Sequence, residues 1–235
     1  MPRLLPVLFI ALLVLPTRGD EPMSAAIAGT AIQIPLPAGM IDAPPDYAKA
    51  LADMTPTNCT QLRGCIEADW VNPTKPQEPN ANMMSACVYS LNDAPQDIYS
   101  GDFIDFVGQV ANDAVHGVLE SANSCFDFEE TQKRLAAFQK DTGVAVQPDG
   151  ALYSLGMVSR SGGCVSFMTA HYFTTTVAGK TERDKCITVQ AYLLLNKKVV
   201  LVLTSLDGPT ILSGDILPLK HAAEKFQIAL QILNK

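Results

Sequence analysis

The chain has 235 residues, 48% of them hydrophobic, with 24 acidic against 17 basic side chains and a net charge of −7. That balance excludes a nucleic-acid or anionic-membrane partner held by clustered Lys and Arg. Six cysteines without a Cys-x-x-Cys pair, and only three histidines, exclude a metal box of ordinary spacing.

The first segment is Met1-Pro-Arg3, an apolar run Leu4–Leu15, then Pro16-Thr-Arg-Gly19. One basic residue, an apolar core of about a dozen residues and a short tail of small residues describe a secretory signal peptide at 1–19. The run is short for a transmembrane span. Cleavage after Gly19 is expected, with Ala26-Ile27-Ala28 as a more distant alternative. Removal takes away Arg3 and Arg18 and no acid, so the net charge moves from −7 to −9. The expected product is periplasmic or secreted, with no stable membrane insertion and no nucleic acid among its partners. Residues 20–29 read as a flexible leader and 30–235 as a single α+β domain.

Thr30–Gly39 reads as a short strand ending at prolines, as an edge strand does. Pro44–Met54 reads as a short helix. Thr60–Val71 and Met83–Leu91 read as strands around a Pro/Asn-rich loop. Asp102–Ala122 is the longest internal helix, with Phe103, Phe106, Val107, Val110, Ala114 and Val118 on one stripe. A second helix starts at Asp127, with Glu130 in a capping-box position, Phe128, Leu135 and Phe138 as contacts and Gly143 as C-cap. Pro148-Asp-Gly150 reads as a turn. Leu152–Arg160 and Val165–Val177 read as strands around Ser161-Gly-Gly163, and Ala178–Lys185 as a polar connection.

The strongest signal is Asp184–Leu206, two strands around Asn196-Lys197. A two-residue type I′ loop there sets Leu194 opposite Val199, Leu193 opposite Val200, Tyr192 opposite Leu201 and Ala191 opposite Val202. Alternation puts Ile187, Val189, Ala191, Leu193, Leu195, Val200 and Val202 on one face, and Tyr192, Leu194, Val199, Leu201 and Leu203 on the other. Both faces are apolar, so helices are expected on both. Asp215–Asn234 supplies one, with Leu219, Ala222, Ala223, Phe226, Leu230 and Leu233 as its stripe, Asp215 as N-cap and Pro218 in the first turn.

The fold class is therefore α+β: a central, mostly antiparallel sheet of about six to seven strands flanked by helices. Ile32-Gln-Ile-Pro-Leu-Pro-Ala-Gly-Met40, Tyr153-Ser-Leu-Gly-Met157 and Leu193–Leu203 before an amphipathic helix mark a resemblance. With these motifs the chain resembles a family of exported bacterial proteins of unknown function, and its plan resembles the PsbP-like α/β/α sandwich. The resemblance implies an accessory or binding role rather than catalysis, and it carries no site residues onto this chain.

Cys59, Cys65, Cys87, Cys125, Cys164 and Cys186 in an exported chain imply up to three disulfides, from about fifteen possible pairings. Placing Cys65 opposite Cys87 in an antiparallel pair aligns Ile66 and Ala68 with Ala86 and Met84; a local Cys59–Cys65 loop is the rival. His171 lies in a strand in phase with Val165, Phe167 and Phe173, as a base or ligand or as a hydrogen-bonded sheet residue. His116 and His221 are expected at the surface. Ser154 lacks the first glycine of a nucleophile elbow, and Gly162-Gly163 is a hairpin turn rather than a phosphate loop. Asp93, Asp97, Asp102 and Asp105 lack EF-hand spacing, and Asn58-Cys59-Thr60 fits a glycosylation sequon.

No convergent catalytic set emerges and no cofactor or metal is indicated. The leading expectation is an exported, non-catalytic accessory or binding module for an unidentified protein or small molecule. The alternative is a periplasmic hydrolase or metal-dependent enzyme using His171.

Overall fold

A computed structural model describes residues 21–53, 55, 59–69, 81–90, 95–116, 133, 136, 139, 140, 144–209 and 211–235. The elements in chain order are β1 (Met23–Ile27), β2 (Thr30–Ile34), β3 (Met40–Asp42), α1 (Pro45–Asp53), β4 (Cys59–Glu67), β5 (Ala81–Tyr89) and α2 (Ser100–His116). They continue with β6 (Val144–Ser161), β7 (Cys164–Val177), β8 (Lys180–Leu195), β9 (Lys198–Gly208) and a C-terminal helix, α3 (Ser213–Leu233).

β3 to β9 form one seven-stranded sheet in the order β3-β4-β5-β9-β8-β7-β6, and every pairing is antiparallel. The expected α+β class is what the chain adopts. The β8–β9 hairpin keeps the register read from the sequence, with Leu194 opposite Val199 and Ala191 opposite Val202. Asn196 (φ 49°) and Lys197 (φ 66°) supply the two left-handed residues of the turn.

Alternation then splits the core. Ala191, Leu193, Leu195, Val200 and Val202 pack with Phe226 and Leu230 of α3. Tyr192, Val199 and Leu201 pack with Phe103 and Val107 of α2 on the opposite face. A third cluster sets Ile187 and Val189 against Leu219 and Ala223. Helices thus cover both sides of the strands, because neither side carries the polar alternation that could face water.

Several expectations are corrected. Residues expected in a flexible leader form β1, which pairs with β2 in a separate two-stranded sheet. Ile27, Ile32 and Ile34 of this hairpin are buried in the cluster under α3. Pro148-Asp-Gly150 lies inside β6 rather than in a turn. It is tolerated there because β6 is an edge strand and its register shifts between Asp149 and Tyr153. The run expected to be a connection is mostly strand: only Ala178 (φ 49°) and Gly179 (φ 80°) turn, and Lys180 starts β8.

α3 begins earlier than its sequence signals suggest. Leu212 is the N-cap, so Pro218 falls inside the helix beyond the first turn. Asp215 still serves the terminus, its carboxylate accepting the Leu212 N–H at 2.8 Å. Ala222 and Leu233 point away from the sheet, whereas Gln227 is buried. In α2 the stripe of Phe103, Phe106 and Val107 faces the core. Val118, the helix expected from Asp127 with its Gly143 cap, Asp93, Asn58 and Cys125 lie outside the described residues, as does most of the loop between β4 and β5. Among the described residues no helix is long and apolar enough to cross a membrane.

Candidate functional site

The turn of the β8–β9 hairpin is where the most distant parts of the chain meet. Lys198 is buried, and its ammonium group donates to the Pro95 carbonyl at 3.2 Å and pairs with Asp97 at 2.8 Å. That hydrogen bond holds the Asp97 carboxyl below its ordinary pKa. Ile98 N–H donates to the Lys197 carbonyl at 2.7 Å, and the Lys197 ammonium lies 5.4 Å from the Tyr99 ring centroid. The approach to α2 is therefore pinned to the hairpin turn.

On the other side, Asn196 Nδ2 donates to the Ala31 carbonyl at 3.3 Å. Asn234, the C-cap of α3, accepts the Gln33 N–H at 2.7 Å and donates to the Gln33 carbonyl at 2.8 Å. The outer edge of β2 is thus closed by two side-chain amides, in the positions another strand's peptide groups would occupy.

Between the hairpin end and the last turns of α3 lies an open groove of about 470 Å³. It is lined by Leu194 and Leu195 at the strand end, Ile228 and Ile232 of α3, and the polar Gln231, Asn234 and Lys235. Ile228 is 55% and Ile232 61% exposed. These aliphatic side chains stand on a helix whose opposite face is fixed by Phe226 and Leu230, so the groove sits on rigid elements.

His171 lies elsewhere. It sits on β7 directly across from Cys186 of β8, and Cys186 in turn faces Asp207 of β9. The three side chains form one row across the face that also carries Tyr192 and Leu201. Burial pushes the His171 pKa down. Burial, reinforced by the Asp207 carboxylate, pushes the Cys186 thiol well up. Burial also raises Asp207 to about 6, and its Oδ1 is shut from solvent without a hydrogen-bond partner among the described residues. Cys186 Sγ lies 3.3 Å from Thr188 Oγ1, which is 3.0 Å from Ser205 Oγ. The raised Cys186 pKa leaves little thiolate for nucleophilic work.

The remaining candidates are dispersed. Ser154 is half-buried on the edge strand β6, its hydroxyl oxygen accepting the Gly156 N–H at 3.4 Å, with no helix following it. His221 is exposed on α3, and the His116 side chain lies outside the described residues. Asp102 and Asp105 are exposed on α2, apart from the Asp97–Lys198 pair. No group of three potential metal ligands occurs among the described residues.

The cysteines also depart from expectation. Cys65 faces Met84, and Cys87 faces Gln61, so the two cysteines stand three residues out of register on β4 and β5. The Cys65–Cys87 pairing therefore fails. No disulfide joins any two of Cys59, Cys65, Cys87, Cys164 and Cys186.

Two features escaped sequence reading. Gln227 points inward, its Oε1 accepting from the Cys164 thiol at 3.5 Å and from Ser159 Oγ at 3.4 Å. Arg63, buried on β4, holds Asp42 with Nε at 2.6 Å and Nη2 at 3.0 Å, and donates from Nη1 to the Ile34 carbonyl at 2.8 Å. A polar residue in a helical stripe and a lone Arg in a strand give no sequence signal that separates these roles from solvation.

No protein-family model and no curated protein sequence matches the chain. Among solved structures, the Saccharomyces cerevisiae Ran-binding protein Mog1p is similar at 10% identity and a TM-score of 0.35, over 92% of this chain and 94% of that one. LpqN of Mycobacterium tuberculosis, described as involved in cell envelope biogenesis, is similar at 14% identity and a TM-score of 0.24, over 74% of this chain and 78% of that one.

Proposed function

We propose that the chain is an exported, non-catalytic accessory or binding module whose partner inserts an apolar group into the groove between the hairpin end and α3. The observation that carries this reading is the exposure of Ile228 and Ile232 beside the end of the β8–β9 hairpin. Exposed aliphatic side chains on a rigid helix, rimmed by amides and an ammonium group, suit recognition of an apolar side chain with polar surroundings. The apolar leader Leu4–Leu15 supports export, and the resemblance to PsbP-like sandwiches supports an accessory role. The partner class is a protein or a small molecule.

The test is site-specific photo-crosslinking in the producing cell. A photoreactive residue at position 232 is expected to capture a discrete adduct, and the same residue at exposed Lys225 is expected to capture none. Equal capture at both positions, or none at 232, rejects the groove. A broad hydrolase screen on the purified protein runs beside it. Turnover lost in a folded His171→Ala variant would replace this reading with the enzymatic one.

A further inference from the structure

Four of the cysteines sit on separate strands of one sheet. Cys65 is on β4, Cys87 on β5, Cys164 on β7 and Cys186 on β8, and all are buried. Pairing registers fix how far apart they are. Cys65 faces Met84, three residues from Cys87, so these two are offset by roughly 10 Å along neighbouring strands and point to opposite faces. Cys164 faces Leu193, seven residues from Cys186, an offset of roughly 23 Å. Cys87 faces Leu201 and Cys186 faces Asp207, so these two share a face but lie roughly 20 Å apart along β9.

The remaining pairs are separated by three or four strand spacings, roughly 14–19 Å across the sheet. A disulfide needs Cα atoms within about 7 Å and side chains that point at each other. None of the six pairings among these four meets that condition without dismantling β-ladder hydrogen bonds.

We infer that the native state requires Cys65, Cys87, Cys164 and Cys186 to stay unpaired with one another, and that oxidative pairing of any two of them before folding excludes the native fold. In the folded chain each thiol is shielded. Burial pushes Cys65 up to about 12 and raises Cys87 and Cys164, so little thiolate is available to attack an oxidant. In the unfolded chain that protection is absent. Two protein thiols and one glutathione disulfide would then give one protein disulfide and two glutathione thiols, which carry away both electrons and both protons. An exported chain built this way must bury its four thiols faster than they pair, or arrive folded. Cys59, half-buried at the start of β4, stands outside this inference. The inference is independent of the groove.

The test uses the full-length purified protein, never exposed to reductant. Native iodoacetamide treatment is expected to leave the four unlabelled, whereas labelling in denaturant without reductant is expected to modify all four. Peptide mapping that finds any two of them joined to each other in folded protein overturns the inference. Refolding from denaturant should recover the native circular-dichroism spectrum with reduced glutathione, and recovery should fall several-fold once the unfolded chain is first oxidised with glutathione disulfide. Recovery that remains complete, with mapped cross-links among the four, also overturns it.

Discussion

Asn234, the last capping residue of the chain, makes a two-point amide pair with the backbone of Gln33, 201 positions earlier, at 2.7 and 2.8 Å. The carboxamide also donates to the Leu230 carbonyl at 2.8 Å, so one side chain ends α3 and closes the edge of β2. Asn234→Ala removes both bonds to Gln33. At about 0.5–1.5 kcal/mol net per hydrogen bond, the expected loss is about 1–3 kcal/mol. Denaturant unfolding measures it, and amide exchange at Gln33 should accelerate in the variant. An unchanged midpoint with unchanged exchange would mean the pair contributes nothing.

Phe226 is the aromatic that joins α3 to the larger core cluster, in contact range of the strands and the β1–β2 hairpin. Phe226→Ala is expected to cost about 3–5 kcal/mol. Ile232→Ala, at 61% exposure near the end of α3, is expected to stay within about 0.5 kcal/mol. Thermal or urea melts of the two variants separate core from groove.

Asp207 gives a pH prediction of definite sign. Its folded-state pKa is raised, to about 6 from 3.8, first by burial, with Asp184 adding to the rise and the Cys186 thiol opposing it. A raised carboxyl favours the protonated native state, so its contribution is fully present below 3.8 and is lost as pH rises through 6. Two pKa units correspond to about 3 kcal/mol as an order of magnitude. Relative to Asp207→Asn, the wild-type protein should lose on the order of 2–3 kcal/mol between pH 4 and pH 7.5 in urea titrations. Parallel curves for the two proteins would contradict this.

The tight turns offer a stabilising substitution. Ala28 (φ 46°) and Ala178 (φ 49°) hold left-handed backbone at the first position of two-residue hairpin loops, where Asn is better suited. Ala178→Asn is expected to stabilise by a few tenths to about 1 kcal/mol, read as a higher melting temperature. Ala178 is exposed, so no packing is lost in the exchange.

Which parts were legible in the sequence follows from how local the physics is. The β8–β9 register was readable because a two-residue turn fixes it and both strands are apolar on both faces. The cover from α3 was readable from its stripe, although its start was misplaced, since Leu212 caps without a side-chain bond and Asp215 resembles an N-cap. β1 was hidden because Met23–Ile27 has no partner until β2 folds onto it. Thr174–Thr176 and Lys180–Arg183 extend the β7–β8 ladder although few of their side chains are buried, so polarity concealed the length of those strands. The Cys65–Cys87 alignment failed because the strands pair with Cys65 opposite Met84, three residues from Cys87, and no short turn between β4 and β5 fixes their register as the two-residue turn does for β8 and β9. The groove was not legible: it depends on Leu195, Ile232 and Asn234 converging from elements that only the tertiary fold brings together.

The most direct test of a groove-based binding module is capture by a photoreactive residue at position 232, repeated in an Ile228→Glu background. The charge projects into solvent when the groove is empty and would be buried unpaired when a partner fills it. The expected result is one discrete adduct at position 232, lost or reduced at least tenfold in the Ile228→Glu protein while its melting temperature is unchanged. An adduct of equal yield in both backgrounds, with both proteins folded, would contradict binding at this groove.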